Sequence, residues 1–329
     1  MSHRKDTDYL AVSARIRAME NRLLTRERMD RIIDARDESE ARKVLVECGY
    51  PDLPSADLER VLAQVREDTR RELMAAIPDG GILEIFALKY DYHNAKSILK
   101  AQAMGTDPAR LLLKGGRYDP VALLDGWQRE QIGFCSDIFR RAMEEAAAVL
   151  KSDRDPQKTD LLLDKAYFAE MARLAKDLNS KYLQGYVRLL VDAANLRTAV
   201  RVARMGGEEE FLRGVLLDGG NVSHQSIIGV RSGDIAEPFR SGALAKAAEL
   251  GESVAKPNSG ALTAFEKACD DAVTGYLSAA RRVPFGEEVV IGYLYAKEAE
   301  LTAVRTIFAG RAAHLDGEVI RQRLRDTYC

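Results

Sequence analysis

No stretch of this sequence is apolar for long enough to cross a bilayer. The longest apolar run, Val289 to Ala296, falls far short of the roughly 20 residues a spanning helix needs. Cysteine is sparse: Cys48, Cys135, Cys269 and Cys329 are scattered and never form CxxC, which argues against a disulfide framework or a zinc site and for a reducing cytoplasm. An excess of one charge is also missing. Lys and Arg number 49 against 51 Asp and Glu, a net −2, so the basic footprint of a general nucleic-acid binder is absent. The polar start, MSHRKDTDYLAVSAR, lacks the apolar centre of a secretory signal. There is no GxxxxGKS/T, GxGxxG, HExxH or GxSxG, and β-branched alternation is almost absent.

What the chain does contain is helix-forming sequence. Ala, Leu, Arg, Lys and Glu dominate, and helices are predicted over nearly the whole length. They include Arg26 to Ile33, Leu83 to Met104, Trp127 to Ala148, Lys158 to Asn179, Lys181 to Met205, Ile235 to Leu250 and Glu287 to Phe308. Breaks fall at Gly80-Gly81, Gly115-Gly116, Asp153 to Pro156, Gly219-Gly220 and Lys256 to Gly260. The glycine pairs are expected to be helix ends and turns rather than phosphate cradles, because none sits in a βαβ setting. No catalytic, cofactor-binding or metal-ligating constellation is expected. His93 lies two residues from Asp91, a spacing that points to different helix faces, and reads as a partly exposed histidine.

One motif recurs. Leu88 to Gly105 (LKYDYHNAKSILKAQAMG) and Leu189 to Gly206 (LLVDAANLRTAVRVARMG) align on glycines 206 − 105 = 101 residues apart. They share Asp91/Asp192, Asn94/Asn195 and Met104/Met205, with Lys96/Arg197 and Lys100/Arg201 as like-for-like replacements. A weaker third copy, Leu301 to Gly310, lies 310 − 206 = 104 residues further on and keeps Arg305; Glu298 and Glu300 stand where Asp and Asn were. On a helix, Leu88, Tyr92, Ala95 and Leu99 form an apolar stripe between an acid/amide edge and a basic edge. Neighbouring sectors could pair those edges. The basic residues Lys96, Lys100, Arg197, Arg201 and Arg305 are therefore candidates either for packing between sectors or for contact with a partner.

Such periodicity predicts an all-α body of three pseudo-equivalent sectors, approximately 9–110, 111–206 and 207–329, with the N-terminal helix beside the last. Bodies of this kind hold partners more often than they catalyse. An open helical-repeat adaptor that binds an unrelated cytosolic partner is the alternative, and a helical enzyme with a scattered site is a third reading.

Several segments in order resemble the C subunit of bacterial and archaeal V/A-type rotary ATPases, the counterpart of the d subunit in eukaryotic vacuolar proton pumps. They are Tyr9 to Thr25 (YLAVSARIRAMENRLLT), LKYDYHNAKSILKA from Leu88, LLLDKAYFAEMARLAK from Leu161, YVRLLVDAANLRTAVR from Tyr186, YLYAKEAELTAVRTIFAG from Tyr293 and LRDTYC from Leu324. The family's Lys-Glu-x-Glu matches Lys297, Glu298 and Glu300, and the resemblance is weakest over Glu208 to Gly242. It implies a funnel of three sectors around a central cavity, with no nucleotide, cofactor or ion site of its own. The implied place is the cytoplasmic face of the membrane, between the proteolipid rotor ring and the central shaft of D- and F-type subunits. The implied work is torque transmission during ATP-coupled proton or sodium transport.

Overall fold

Side-chain caps decide where many of these helices begin. Thr25, Asp37, Asp119, Ser136, Asp155, Ser223 and Asp316 each accept a hydrogen bond from a first-turn backbone amide, satisfying donors that have no partner inside the helix. Pro120 and Pro156 follow two of these caps at the first helical position, where a missing N–H costs nothing.

The computed structural model describes residues 5–52, 57–230 and 234–328; Cys329 and the first four residues lie outside them. Among the described residues all regular structure is helical, as the sequence predicts. The α-helices are α1 (Leu10–Glu20), α2 (Arg26–Ile33), α3 (Glu38–Glu47), α4 (Leu58–Met74), α5 (Gly81–Met104), α6 (Pro120–Gln128), α7 (Asp137–Asp153), α8 (Pro156–Asp177), α9 (Lys181–Arg204), α10 (Glu209–Val215), α11 (His224–Ile228), α12 (Ala245–Val254), α13 (Thr263–Ser278), α14 (Glu287–Ala312) and α15 (Gly317–Arg323). Short 3-10 turns occupy Asp6–Tyr9, Ala109–Leu111, Glu237–Phe239 and Ala279–Arg282. No helix among the described residues is long and apolar enough to cross a membrane.

Two compact units emerge. One comprises Met1–Gly80, Ala203–Gly206 and Val230–Cys329; the other comprises Gly81–Val202 and Gly207–Gly229. In the first, α2, α3 and α4 pack with α14 and α15 around Met29, Ile32, Val44, Leu62, Val304, Ile307 and Ile320. In the second, α5, α7 and α8 pack together, and Phe86 of α5 stacks on Tyr186 of α9 with ring centroids 6.0 Å apart. The first two copies of the repeated motif, on α5 and α9, thus belong almost wholly to the second unit, and the third copy lies on α14 in the first.

Three predicted elements need correction. The single helix expected over Trp127 to Ala148 is two helices, because Gln128 ends α6 and Ser136 caps α7. The helix expected over Ile235 to Leu250 begins only at Ala245, after a 3-10 turn containing Pro238. Gly105 and Gly206 end their helices in the left-handed conformation (φ 65° and 66°), each with the amide of the following residue returning to a carbonyl of the last turn. Gly310, aligned with them, does not end α14. It lies inside the helix against Ile320, and His314 (φ 54°) takes the left-handed position instead.

Candidate functional site

The helices carrying the first two copies, α5 and α9, are buried nearly all round. On α5 the buried positions include Ile85, Leu88, Tyr90, Asp91, Tyr92, Asn94, Ile98 and Leu99. A polar side chain in such a helix has no water to turn to and must find partners inside the protein. Asp91 and Asn94 find them in the loop that follows their own helix. Asn94 Nδ2 donates to the Leu113 carbonyl at 2.9 Å, and its Oδ1 accepts from the Leu113 amide at 2.8 Å. Asn195 repeats this on Leu217, at 2.8 Å in both directions. Asp91 accepts from the Tyr118 amide and, at 2.8 Å, from Arg117 Nε. Asp192 accepts from the amides of Asn221 and Val222, both at 3.1 Å, and from Asn221 Nδ2 at 2.8 Å.

The glycine pairs make this return possible. A Cβ on Gly116 would lie 2.2 Å from Asp91 Oδ1, and one on Gly220 would lie 2.2 Å from Asp192 Oδ1. Only glycine lets the loop backbone come that close. The repeat is therefore longer than the helix. Leu113-Lys114-Gly115-Gly116-Arg117-Tyr118-Asp119 and Leu217-Asp218-Gly219-Gly220-Asn221-Val222-Ser223 are equivalent loops, and each ends on the cap of the next helix. The signal that could have revealed this was in the sequence: each Asp-x-x-Asn helix is followed by one Leu-x-Gly-Gly.

Around the first anchor the polar contacts extend into a network. Arg117 Nη1 donates to Glu170 of α8 at 2.9 Å, and Glu170 also accepts from Tyr92 Oη and Ser136 Oγ. Tyr92 is set edge-on to Phe139 and Tyr167 at centroid distances of 5.1 and 5.6 Å. Burial pushes the Asp91 carboxyl up, to about 6, against the opposing pull of Arg117 and the loop amides. Burial works against the Arg117 charge, but Glu170 and Asp91 outweigh it and raise its pKa. The Cys135 thiol, beside this network, is pushed up to about 12 by burial.

The third copy anchors a different piece of chain. Glu300 accepts from the Leu24 amide at 2.6 Å and from Tyr50 Oη at 2.7 Å, and Lys297 Nζ caps the same carboxylate. Glu298 pairs with Arg66 of α4 at 3.3 Å. In the first two copies the anchored backbone follows the repeated helix; here it belongs to the turn between α1 and α2.

The expected pairing of acid/amide edges with basic edges does not occur for α5, because Asp91 and Asn94 are consumed by the loop. Lys96 pairs instead with Asp164 at 2.6 Å and Lys100 with Asp160 at 2.7 Å, both on α8. Arg305 forks onto Glu59 at the start of α4. Arg197 is half-buried and Arg201 exposed at the equivalent positions of α9. His93 is exposed, with Nε2 3.0 Å from the Leu111 carbonyl. The lone Trp127 is half-buried and donates from Nε1 to Gln102 Oε1 at 2.9 Å, tying α6 to α5. Among the described residues no group of His, Cys, Asp and Glu has the geometry of a metal site.

Comparison with known proteins agrees with the resemblance seen in the sequence. The family model described as ATP synthase (C/AC39) subunit matches residues 12–323. The C subunit of the V-type sodium ATPase of Enterococcus hirae is 22% identical over 325 residues, covering 98% of this chain and 99% of the relative. The C subunit of the A-type ATP synthase of Thermococcus onnurineus is 24% identical over 344 residues, covering 98% and 90%. The C subunit of the V-type ATP synthase of Thermus thermophilus is 28% identical over 172 residues, covering 50% and 52%. With the family model spanning nearly all of its length, the chain belongs to the ATP synthase (C/AC39) subunit family, among the C subunits of V/A-type ATPases.

Proposed function

We propose that this chain is a non-catalytic part of the rotor and serves as the socket that joins the central shaft of a V/A-type ATPase to its membrane proteolipid ring, transmitting torque between them. The reading places it on the cytoplasmic face of the membrane, reaching the bilayer only through the ring. It takes three pseudo-equivalent sectors, 9–110, 111–206 and 207–329, as a funnel whose cavity receives the shaft tip. D- and F-type shaft subunits and the proteolipid ring are the partners, and ATP-coupled proton or sodium transport is the process served.

The observation that carries this reading is the repeated anchor: Asn94 on Leu113 and Asn195 on Leu217, each two-way and each beside an aspartate that holds the next stretch of the same loop. A torque-transmitting part needs stiffness. Buried polar contacts that are mutually satisfied fix one geometry, and the close-packed interior around them deforms little. The basic edges add a means of grip. Lys100 and Arg305 are part-exposed and paired within the chain, so a partner's carboxylates can exchange with Asp160 and Glu59 at small cost. Tagged chain drawn from native membranes tests the reading. Recovery with shaft and proteolipid subunits supports it, and recovery only as a free species overturns it.

A further inference from the structure

A cleft of about 460 Å³ opens in the first unit where the end of α1, the turn into α2, α2 itself and the Ala279–Arg282 turn meet. Four arginines line it, Arg17, Arg28, Arg31 and Arg281, with Glu20 and Glu27 as the acidic lining. Two of the arginines are neutralised. Arg17 is fixed by both oxygens of Glu20 and by the carbonyls of Ala280 and Val283, and Arg31 pairs with Glu47 at 2.8 Å. Among the described residues, the other two meet only backbone. Arg28 Nη1 donates to the Leu23 carbonyl at 2.9 Å and more weakly to that of Asn21, and Arg281 Nη1 donates to the Tyr328 carbonyl at 3.3 Å.

Among the described residues, then, two guanidinium groups in one cleft keep their charge uncompensated by any ion pair, with Glu27 as the one lining carboxylate left over. Among the described residues neither has a partner for its Nε or Nη2 donors, the edge a guanidinium offers to an oxyanion in a two-bond fork. A chain of net charge −2 has no general reason to gather positive charge there. A single carboxylate fills one fork. A phosphate or diphosphate group, with several oxygens and more than one charge, has enough acceptors for two. We propose that this cleft binds a phosphate-bearing anion, free in solution or as the headgroup of a lipid. The site is separate from the Asn94 and Asn195 anchors and from the basic edges, and it stands whether or not the rotor reading does.

Calorimetric titration of the full-length chain with inorganic pyrophosphate, alongside flotation with phosphatidylcholine vesicles containing phosphatidic acid, tests it. One-to-one binding of pyrophosphate identifies a free anion; binding to the vesicles alone identifies a lipid headgroup. In either case the Arg28→Gln, Arg281→Gln double variant should lose at least about tenfold in affinity, the scale of a lost charge-assisted fork. Because Arg28 also holds the end of α1, two further variants guard against misfolding. Arg281→Gln alone should weaken binding about threefold or more, and Glu27→Gln should tighten it. Binding of neither probe overturns the proposal. So does unchanged binding in the folded double variant, or in both single variants. Capture of a polyglutamate peptide without either phosphate probe overturns it in favour of an acidic protein partner.

Discussion

Glu300 holds the backbone amide of Leu24 at 2.6 Å across 276 residues of chain. In the first two copies of the repeat, an Asn on the buried helix grips a leucine in the loop that follows. After α14 no Leu-x-Gly-Gly loop follows, and the N-terminal turn supplies the leucine backbone instead. A carboxylate only accepts, so Tyr50 and Lys297 complete its coordination where an asparagine would have donated to a carbonyl. The two ends of the chain are joined further by Arg17 on the Ala280 and Val283 carbonyls, by the Gly286 amide on Ser13 Oγ, and by Arg321 on Asp30 and Asp34.

Removing an anchor should be costly. Asn94→Leu deletes two hydrogen bonds and leaves the amide and carbonyl of Leu113 without partners. Asn195→Leu also deletes two, but the Leu217 carbonyl keeps His224 Nε2 at 2.8 Å and only the amide is stranded. Each unsatisfied buried group costs about 1–3 kcal/mol, so a loss of about 2–5 kcal/mol is expected for Asn94→Leu and about 1–3 kcal/mol for Asn195→Leu. Asn94→Leu should be the worse of the two, because it strands two backbone groups where Asn195→Leu strands one. Urea denaturation of the two variants measures both quantities.

The glycine pairs should be equally intolerant. Gly116→Ala and Gly220→Ala each place a methyl 2.2 Å from an anchored aspartate oxygen, which forces the loop away. Losses of about 2 kcal/mol or more are expected. Gly133→Ala is the control, since nothing lies within 4 Å of its Cβ position. Comparable melting curves for Gly116→Ala and Gly133→Ala would contradict the anchored-loop account.

Asp91 sets a pH dependence. Its folded pKa of about 6 lies above the unfolded value of about 3.9, so the native state holds the proton more tightly. Its contribution to stability is full below about pH 4 and is lost as pH rises to about 6, amounting to about 2–3 kcal/mol. Asp91→Asn carries no such proton. Unfolding free energies of wild type and variant, measured from pH 4 to 7, should converge or cross in that direction. A difference independent of pH would show that the carboxyl is not displaced.

Charge reversal tests the basic edges. The ion pairs of Lys100 and Arg305 are part-exposed, and such pairs contribute about 0.2–1 kcal/mol each. Lys100→Glu, Arg201→Glu and Arg305→Glu together should therefore leave a folded helical protein while weakening shaft binding by about tenfold or more. Unchanged binding accompanied by a collapsed melting temperature would assign these residues to internal packing.

Much of the fold was legible in local sequence. Helices capped by their own side chains stood out, and the bounds of α2 and the start of α14 are where capping, charge and periodicity predict them. The break at Ser136 was obscured because the residues from Trp127 onward keep helical composition. The role of Asp91 and Asn94 was hidden for a different reason. A helical projection assumes one wet face, so it reads them as a polar edge, whereas α5 is enclosed and its polar residues must bond to backbone. That backbone arrives from a loop about 20 residues on, and no local pattern on the helix encodes it. Only the recurrence of a glycine pair after each of the first two copies carried the information.

The most direct measurement of the central claim is coupling. A rotary ATPase assembled without this chain should still hydrolyse ATP in its catalytic head but drive no ion flux, and adding the purified chain back should restore flux without changing the chemistry of hydrolysis. Ion transport at full rate in its absence would contradict the account.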